Sequence, residues 1–375
     1  MRQAPALLFA LVLLVPWSAH AAVLRVSPDG SGDYPTIQAA VAAAVDGDVV
    51  ELAAGVYRGA GNRDVFVESQ AIAIRSRDGD PATCVLDCER AGRGFQFSSV
   101  STGTRLEAVT IRNGFADQGG GLWTYGDAQI RDCVFEDNHA AESGGGMACF
   151  GSLTVERCTF VNNDAGDAGG GVMHGSAGAF DAPRFSDCSF IGNAAQLGGG
   201  FYIELVSPLR QERNLERCLL AGNRARDGAA LFVSGCSPQI DRCTFVANEA
   251  TNGGTLACDF GAPLLRTSIL AFASQGAAVR CTPAAIPGLS CCDIFGNAGG
   301  DWVGEIAPQA GTSGNISADP LFCDREGGAY RLAADSPCAP ENDPICGLRG
   351  ALDVGCGPSP ALETSWGAIK AIFAR

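Results

Sequence analysis

The chain has 375 residues, a formal charge of -15, 50 glycines and 17 cysteines, and one lysine, Lys370, among its 26 basic residues. An acidic balance without a Lys/Arg cluster argues against binding nucleic acid by phosphate neutralisation, and it disfavours an anionic membrane surface.

The opening "MRQAPALLFALVLLVPWSAHAA" combines one Arg, an apolar run from Ala6 to Trp17 and the small-residue pattern Ala19-His20-Ala21, and reads as a secretory signal over residues 1–21. The run is too short to span a bilayer, and nothing later reaches the roughly 18 unbroken apolar residues that a spanning helix needs. The mature chain is therefore expected to lack a membrane span and to be secreted, at the cell surface or in the periplasm. Export permits disulfides, and an odd number of cysteines leaves at least one unpaired or joined to another molecule.

Residues 35–46, "PTIQAAVAAAVD", predict a helix: Pro35 and Thr36 open it, alanines fill it, and Ile37, Val41 and Val45 share one face. It is expected to act as the N-terminal lid of the fold.

From Leu106 onward a unit written apolar-x-x-small-x-apolar recurs, starting at Leu106, Ile130, Val155, Phe185, Leu215, Ile240, Leu265 and Leu289, at intervals of 24, 25, 30, 30, 25, 25 and 24 residues. The segments are short, rich in Val, Ile, Phe and Thr, and separated by Gly, Asn and Asp, so they are strands. A unit of this length with three strands and three turns is one coil of a parallel β-solenoid, stacked on the next at about 4.8 Å. The fold class is thus all-β, a parallel β-solenoid over residues 22–300, which the resemblances given below make a right-handed parallel β-helix.

In six of these eight coils, Asn138, Asn163, Asn193, Asn223, Asn248 and Asn297 follow the strand at one offset. They predict a turn ladder of residues that tolerate the left-handed region and bond their stacked neighbours. Glycine triplets at 119–121, 144–146, 169–171 and 198–200 mark sharp turns or close backbone approach, and no helix or lysine follows them to cradle phosphate. Cysteines 133, 158, 188, 218 and 243 should form one inward column, either bridged coil to coil or packed as thiols, and offer no zinc site. After Asn297 a turn-rich segment, residues 301–358, carries Cys323, Cys338, Cys346 and Cys356, for which three pairings are open. The tail 359–375, with Trp366, Ile369, Ile372 and Phe373, predicts a short amphipathic helix that caps the last coil or serves as a sorting or anchoring tag.

The segment "VSPDGSGDYPTIQAAVAAAVDGDVVELAAGVYRG" resembles the N-terminal part of pectin methylesterases and related right-handed parallel β-helix proteins, over residues 26–59. The F-x-x-N pattern followed by Gly-Gly resembles the repeat of polymorphic outer-membrane proteins, over roughly residues 106–300. With the closing "DPLF", "YRL" and "SPC", these resemblances imply a secreted bacterial protein of the pectin-lyase-like superfamily. The esterase motifs of Gln, Asp and Arg have no counterpart in the central coils. A polygalacturonase-like Gly-His-Gly is absent, since His139 and His174 sit in "DNHAA" and "VMHGS". A lysine base is excluded before Lys370, whereas an arginine base is not.

The strand after each glycine turn carries the functional expectation. Leu122, Met147, Val172, Phe201, Leu231 and Leu256 should face inward, so alternation turns Trp123, Ala148, Met173, Tyr202, Phe232 and Ala257 outward. Two residues on come Tyr125, Phe150, Gly175, Glu204, Ser234 and Asp259. Flat aromatics beside carboxylates suit a glycan-stacking groove, unless the insertions of the two 30-residue coils cover it. The ligand-binding candidates are Trp123, Tyr125, Phe150, Tyr202 and Phe232. His174 shares the inward register of Cys149 and Cys258 and is expected to be interior. Acidic turns at 29–33, 46–48 and 78–80 follow ordinary turn chemistry, with Ca²⁺ as the rival reading.

The sequence therefore predicts a monomeric, non-catalytic binder of polysaccharide or another cell-surface component. Two alternatives stand beside it: a lyase or hydrolase of acidic polysaccharide using Glu204 and Asp259, and a structural spacer or adhesin.

Overall fold

The structure, a computed structural model, describes residues 21–175, 183–204, 213–283 and 285–358. The expected signal peptide and the C-terminal tail lie outside the described residues, as do the insertions at 176–182 and 205–212.

Each coil lays one strand on each of three parallel sheets. The first face stacks eleven strands, from Val23–Val26 to Gly288–Ser290, and the second stacks ten, from Gly55–Tyr57 to Asp293–Phe295. The third runs from Val65–Glu68 to Gln275–Cys281, with the short strands Phe115–Gln118, His139–Ser143 and Asp164–Ala165 ahead of it. Ten steps at the usual strand spacing give a rod of about 48 Å.

Registration in space follows the repeat in sequence. Ile130, Val155, Phe185, Leu215, Ile240 and Leu265 pair one above another on the first face, and Phe135, Phe160, Phe190, Leu220 and Phe245 on the second. All are fully buried. The rings of Phe135, Phe160 and Phe190 stack at 4.8 and 5.1 Å between centroids, because strand spacing and aromatic stacking distance coincide.

The asparagine ladder forms, with one correction to the sequence reading. The left-handed residue is the one before each asparagine (Asp137, Asn162, Gly192, Gly222, Ala247 and Gly296), not the asparagine itself. This frees each ladder side chain to point inward. Asn163 Nδ2 donates to Asn193 Oδ1 at 3.0 Å and to the Phe135 carbonyl at 2.9 Å, and the same pattern repeats from Asn138 to Asn248. At the triplets only the first glycine has positive φ, +71° at Gly144. The second is glycine for a different reason: a Cβ on Gly145 would meet the Gly170 carbonyl of the next coil at 2.6 Å.

Cys133, Cys158, Cys188, Cys218 and Cys243 form the expected column, continued by Ser268 and Cys292, and all of these cysteines are buried thiols. Of the two readings left open, packing therefore prevails over bridging. Each thiol donates to the carbonyl two residues before it, as Cys133 does to Arg131 at 3.2 Å. Burial raises the Cys158, Cys188 and Cys243 thiols far above their ordinary value and keeps them protonated.

At the N-terminal end the helix spans Ile37–Ala43, with Thr36 Oγ1 accepting from the Ala39 amide and Ile37, Ala40 and Val41 buried. It stops before Val45, which is 65% exposed rather than on the buried face. At the other end the strands Phe322–Asp324, Ala329–Ala333 and Val354–Cys356 form a small sheet. This segment folds back over the second face, packing Leu332 and Cys338 on Ile269 and Ala271. The disulfides are Cys323–Cys356, Cys291–Cys346 and Cys258–Cys281. Only the first joins two of the four C-terminal cysteines, because the fold-back brings Cys346 against a repeat cysteine and leaves Cys338 a thiol beside Asp293, 3.2 Å away.

Candidate functional site

The third face carries the expected residues in two groups. Its inward column, Leu122, Met147, Val172, Phe201, Leu231 and Leu256, is fully buried, so the alternate positions do face out. The first group is Trp123, Tyr125 and Phe150, with the Trp123 and Phe150 rings 5.9 Å apart at 46°. The second is Tyr202 and Phe232, stacked at 5.6 Å and 13°. All five are half-buried.

The outward column is not continuous. Ala148 and Met173, between the groups, are buried, as is Ala257 after Phe232. Gly175 explains part of this, since the Phe150 ring lies directly against it and next to Met173. Strand alternation fixes which way a residue points but not whether a larger neighbour lies over it.

Glu204 is exposed and Asp259 half-buried on the second outward column, and they are separated by Ser234. They stand two coils apart, about 9.6 Å between backbones, rather than as an adjacent pair. Tyr202 Oη lies 3.4 Å from Glu204 Oε2. Burial, and then the Glu204 carboxylate, push the Tyr202 hydroxyl up to about 12, so it remains a donor.

His174 is interior, 1% exposed, with Nε2 3.4 Å from the Gly151 carbonyl. Burial lowers it to about 4 and holds it neutral. The acidic turns use their oxygens on nearby amides: Asp29 accepts from the Ser31 N–H and hydroxyl, Asp48 from Ala22 and Val45, and Asp80 from Ala82. Among the described residues no group of three or more His, Cys, Asp or Glu side chains is placed to hold a metal ion.

Several clefts escaped the sequence reading, and two of them bear on the site and its charges. One, of about 340 Å³, continues the third face beyond Phe232 and is lined by Asp227, Asp259, Arg280 and Thr282. The other, about 530 Å³, lies where the first and second faces meet and contains Arg75, Arg77, Arg131 and Arg157. Each of these arginines pairs with a carboxylate, as Arg75 with Glu51 and Arg157 with Asp132. The alternation Glu51, Arg75, Glu107, Arg131, Glu156 at one register position was the available signal for this charge ladder.

A family model described as right handed beta helix region matches residues 91–262. Among solved structures, pectate lyase Pel9A is similar at 13% identity and a TM-score of 0.55, covering 90% of this chain and 97% of that one. The A-module of the Azotobacter vinelandii mannuronan C-5 epimerase AlgE6 aligns over 80% of this chain and 81% of its own at 16% identity, with a TM-score of 0.28. No curated protein matches the sequence. Three stacked parallel sheets, the matched region and the likeness to a pectate lyase agree: this chain is a right-handed parallel β-helix of the pectin-lyase-like fold.

Proposed function

We propose that this protein is exported and binds polysaccharide through its third face without cleaving it. The observation that carries this reading is the placement of two aromatic groups, Trp123/Tyr125/Phe150 and Tyr202/Phe232, along one strand face with Glu204 and Asp259 beside them. Aromatic faces take the apolar face of a sugar ring, and neighbouring carboxylates accept its hydroxyls. Three disulfides, and the lack of any helix long and apolar enough to cross a membrane among the described residues, accord with an exported chain.

Sedimentation of the protein with a panel of insoluble polysaccharides tests the reading. Trp123→Ala and Tyr202→Ala should each weaken retention on the order of ten-fold, the loss of about one stacking contact. Unchanged retention in both variants would overturn it.

A catalytic reading rests on Glu204 and Asp259 sharing one outward column two coils apart, from which side chains leaning toward each other would reach the roughly 6.5–9.5 Å that inverting glycoside hydrolases place between their carboxylates. New reducing ends or unsaturated products from acidic polysaccharides, lost in Glu204→Gln and Asp259→Asn, would establish that reading instead.

A further inference from the structure

The third face begins two coils before Trp123, ahead of the repeat, and its outward column there runs Phe66, Gln96 and Trp123 on successive strands. Phe66 is 38% exposed. The N-terminal helix holds its strand edge: Gln38 Oε1 accepts from the Phe66 amide at 2.7 Å, and Gln38 Nε2 donates to the Phe66 carbonyl at 3.2 Å. Between the two aromatics stands Gln96, half-buried. Arg93 Nη1 donates to Gln96 Oε1 at 3.0 Å. A guanidinium only donates, so the atom facing it must be the amide oxygen, and Nε2 is turned away from the arginine. Nε2 meets no acceptor among the described residues and is not sealed from solvent.

Arg93 also sets where that donor stands. Its Nε and Nη2 donate to the Gly119 and Gln118 carbonyls at 2.9 and 2.8 Å, on the coil that carries Trp123. Gly119 lies against that residue, since a Cβ there would be 3.0 Å from the Trp123 Cα. The guanidinium therefore holds the Gln96 amide on the Trp123 side of its strand. All of these bonds from Arg93 go to uncharged oxygens. The carboxylates whose charge acts on it are Asp64 and Asp117, both exposed, and Glu68 is exposed two residues beyond Phe66. Three carboxylates against one guanidinium disfavour an anionic ligand. An indole beside one outward amide donor suits an uncharged pyranose ring, its apolar face on Trp123 and one oxygen accepting from Nε2.

We propose that Gln96, oriented by Arg93, is a specificity-determining residue of the third face and donates from Nε2 to a neutral sugar unit stacked on Trp123. The proposal rests on the reading of this face as glycan-binding and specifies its ligand class. Calorimetric titration of the full chain compares cellohexaose, mannohexaose and xylohexaose with hexagalacturonate and hexamannuronate. At least one neutral hexasaccharide should bind on the order of ten-fold more tightly than either uronate. Gln96→Glu keeps the shape and the contact with Arg93 but replaces the donor by a carboxylate oxygen. It should weaken that binding on the order of ten-fold without lowering the melting temperature. Gln129→Glu, which adds the same charge on the first face, should bind like the parent. Uronates binding as tightly as the neutral sugars, Gln96→Glu binding like the parent, or Gln129→Glu losing as much as Gln96→Glu would overturn the role of Gln96. So would a failure of all five hexasaccharides to bind. In each case the wider reading stands if Trp123→Ala still reduces retention on insoluble polysaccharide, and absence of retention on every polysaccharide would overturn both.

Discussion

Asn193→Ala tests the ladder that sets coil on coil. Asn193 is fully buried and makes four side-chain hydrogen bonds. Its Nδ2 donates to the Phe160 carbonyl at 2.9 Å and to Asn223 Oδ1 at 3.0 Å, and its Oδ1 accepts from the Asn163 amide at 2.9 Å and from Asn163 Nδ2 at 3.0 Å. Truncation leaves the buried Asn163 N–H without a partner, costing about 1–3 kcal/mol, and each of the other three bonds contributes roughly 0.5–1.5 kcal/mol. The expected loss is about 3–7 kcal/mol in urea denaturation followed by far-UV circular dichroism. The exposed Gln196→Ala, which removes one bond to the Gly166 carbonyl, should stay within about 0.5 kcal/mol. Because each coil touches only its neighbours, amide exchange should accelerate first in the coils around 160–223. Asn193→Asp keeps the acceptor but points carboxylate lone pairs at the Phe160 and Asn223 oxygens. It should be at least as damaging at neutral pH and recover in part as the pH falls, beginning above the ordinary carboxylate value of about 4 because burial raises the acid, which regains a donor when protonated. A loss under about 1 kcal/mol, or exchange that rises uniformly along the rod, would refute the reasoning.

Burial raises Asp293 to about 6, above the ordinary value of about 3.9, so between these pH values the folded state holds a proton that the unfolded chain has released. Stability should fall by about 2 kcal/mol as pH rises from 4 to 6, and denaturation midpoints of Asp293→Asn should lack that slope; equal slopes in the two proteins would contradict it. Cys291–Cys346 and Cys323–Cys356 span 55 and 33 residues, and each restricts the unfolded chain by roughly 4 kcal/mol. Reduction should therefore expose residues 301–358 to limited proteolysis while the coils before Cys258, which contain no disulfide, resist. Simultaneous cleavage of both regions would argue against separate stabilisation.

The repeat was legible because a solenoid writes its contacts into the chain: residues one coil apart in sequence become neighbours in space. Spacing alone gave the phenylalanine stack, the asparagine ladder, the thiol column and the direction in which Trp123, Tyr202 and Phe232 point. It also put Glu204 and Asp259 on one face. What spacing could not give was whatever depends on contacts outside that register. The fold-back of residues 331–356 onto Ile269 and Ala271 brought Cys346 to Cys291 and left Cys338 beside Asp293, a pairing no local pattern encodes. Likewise, alternation directs Ala148, Met173 and Ala257 outward, but in the packed coils all three are buried. The periodic pattern determines which side chains share a line, since backbone pairing repeats at a fixed rise. The volume and orientation of each side chain relative to its neighbours determine which points on that line stay open, and those are settled only when the coils pack.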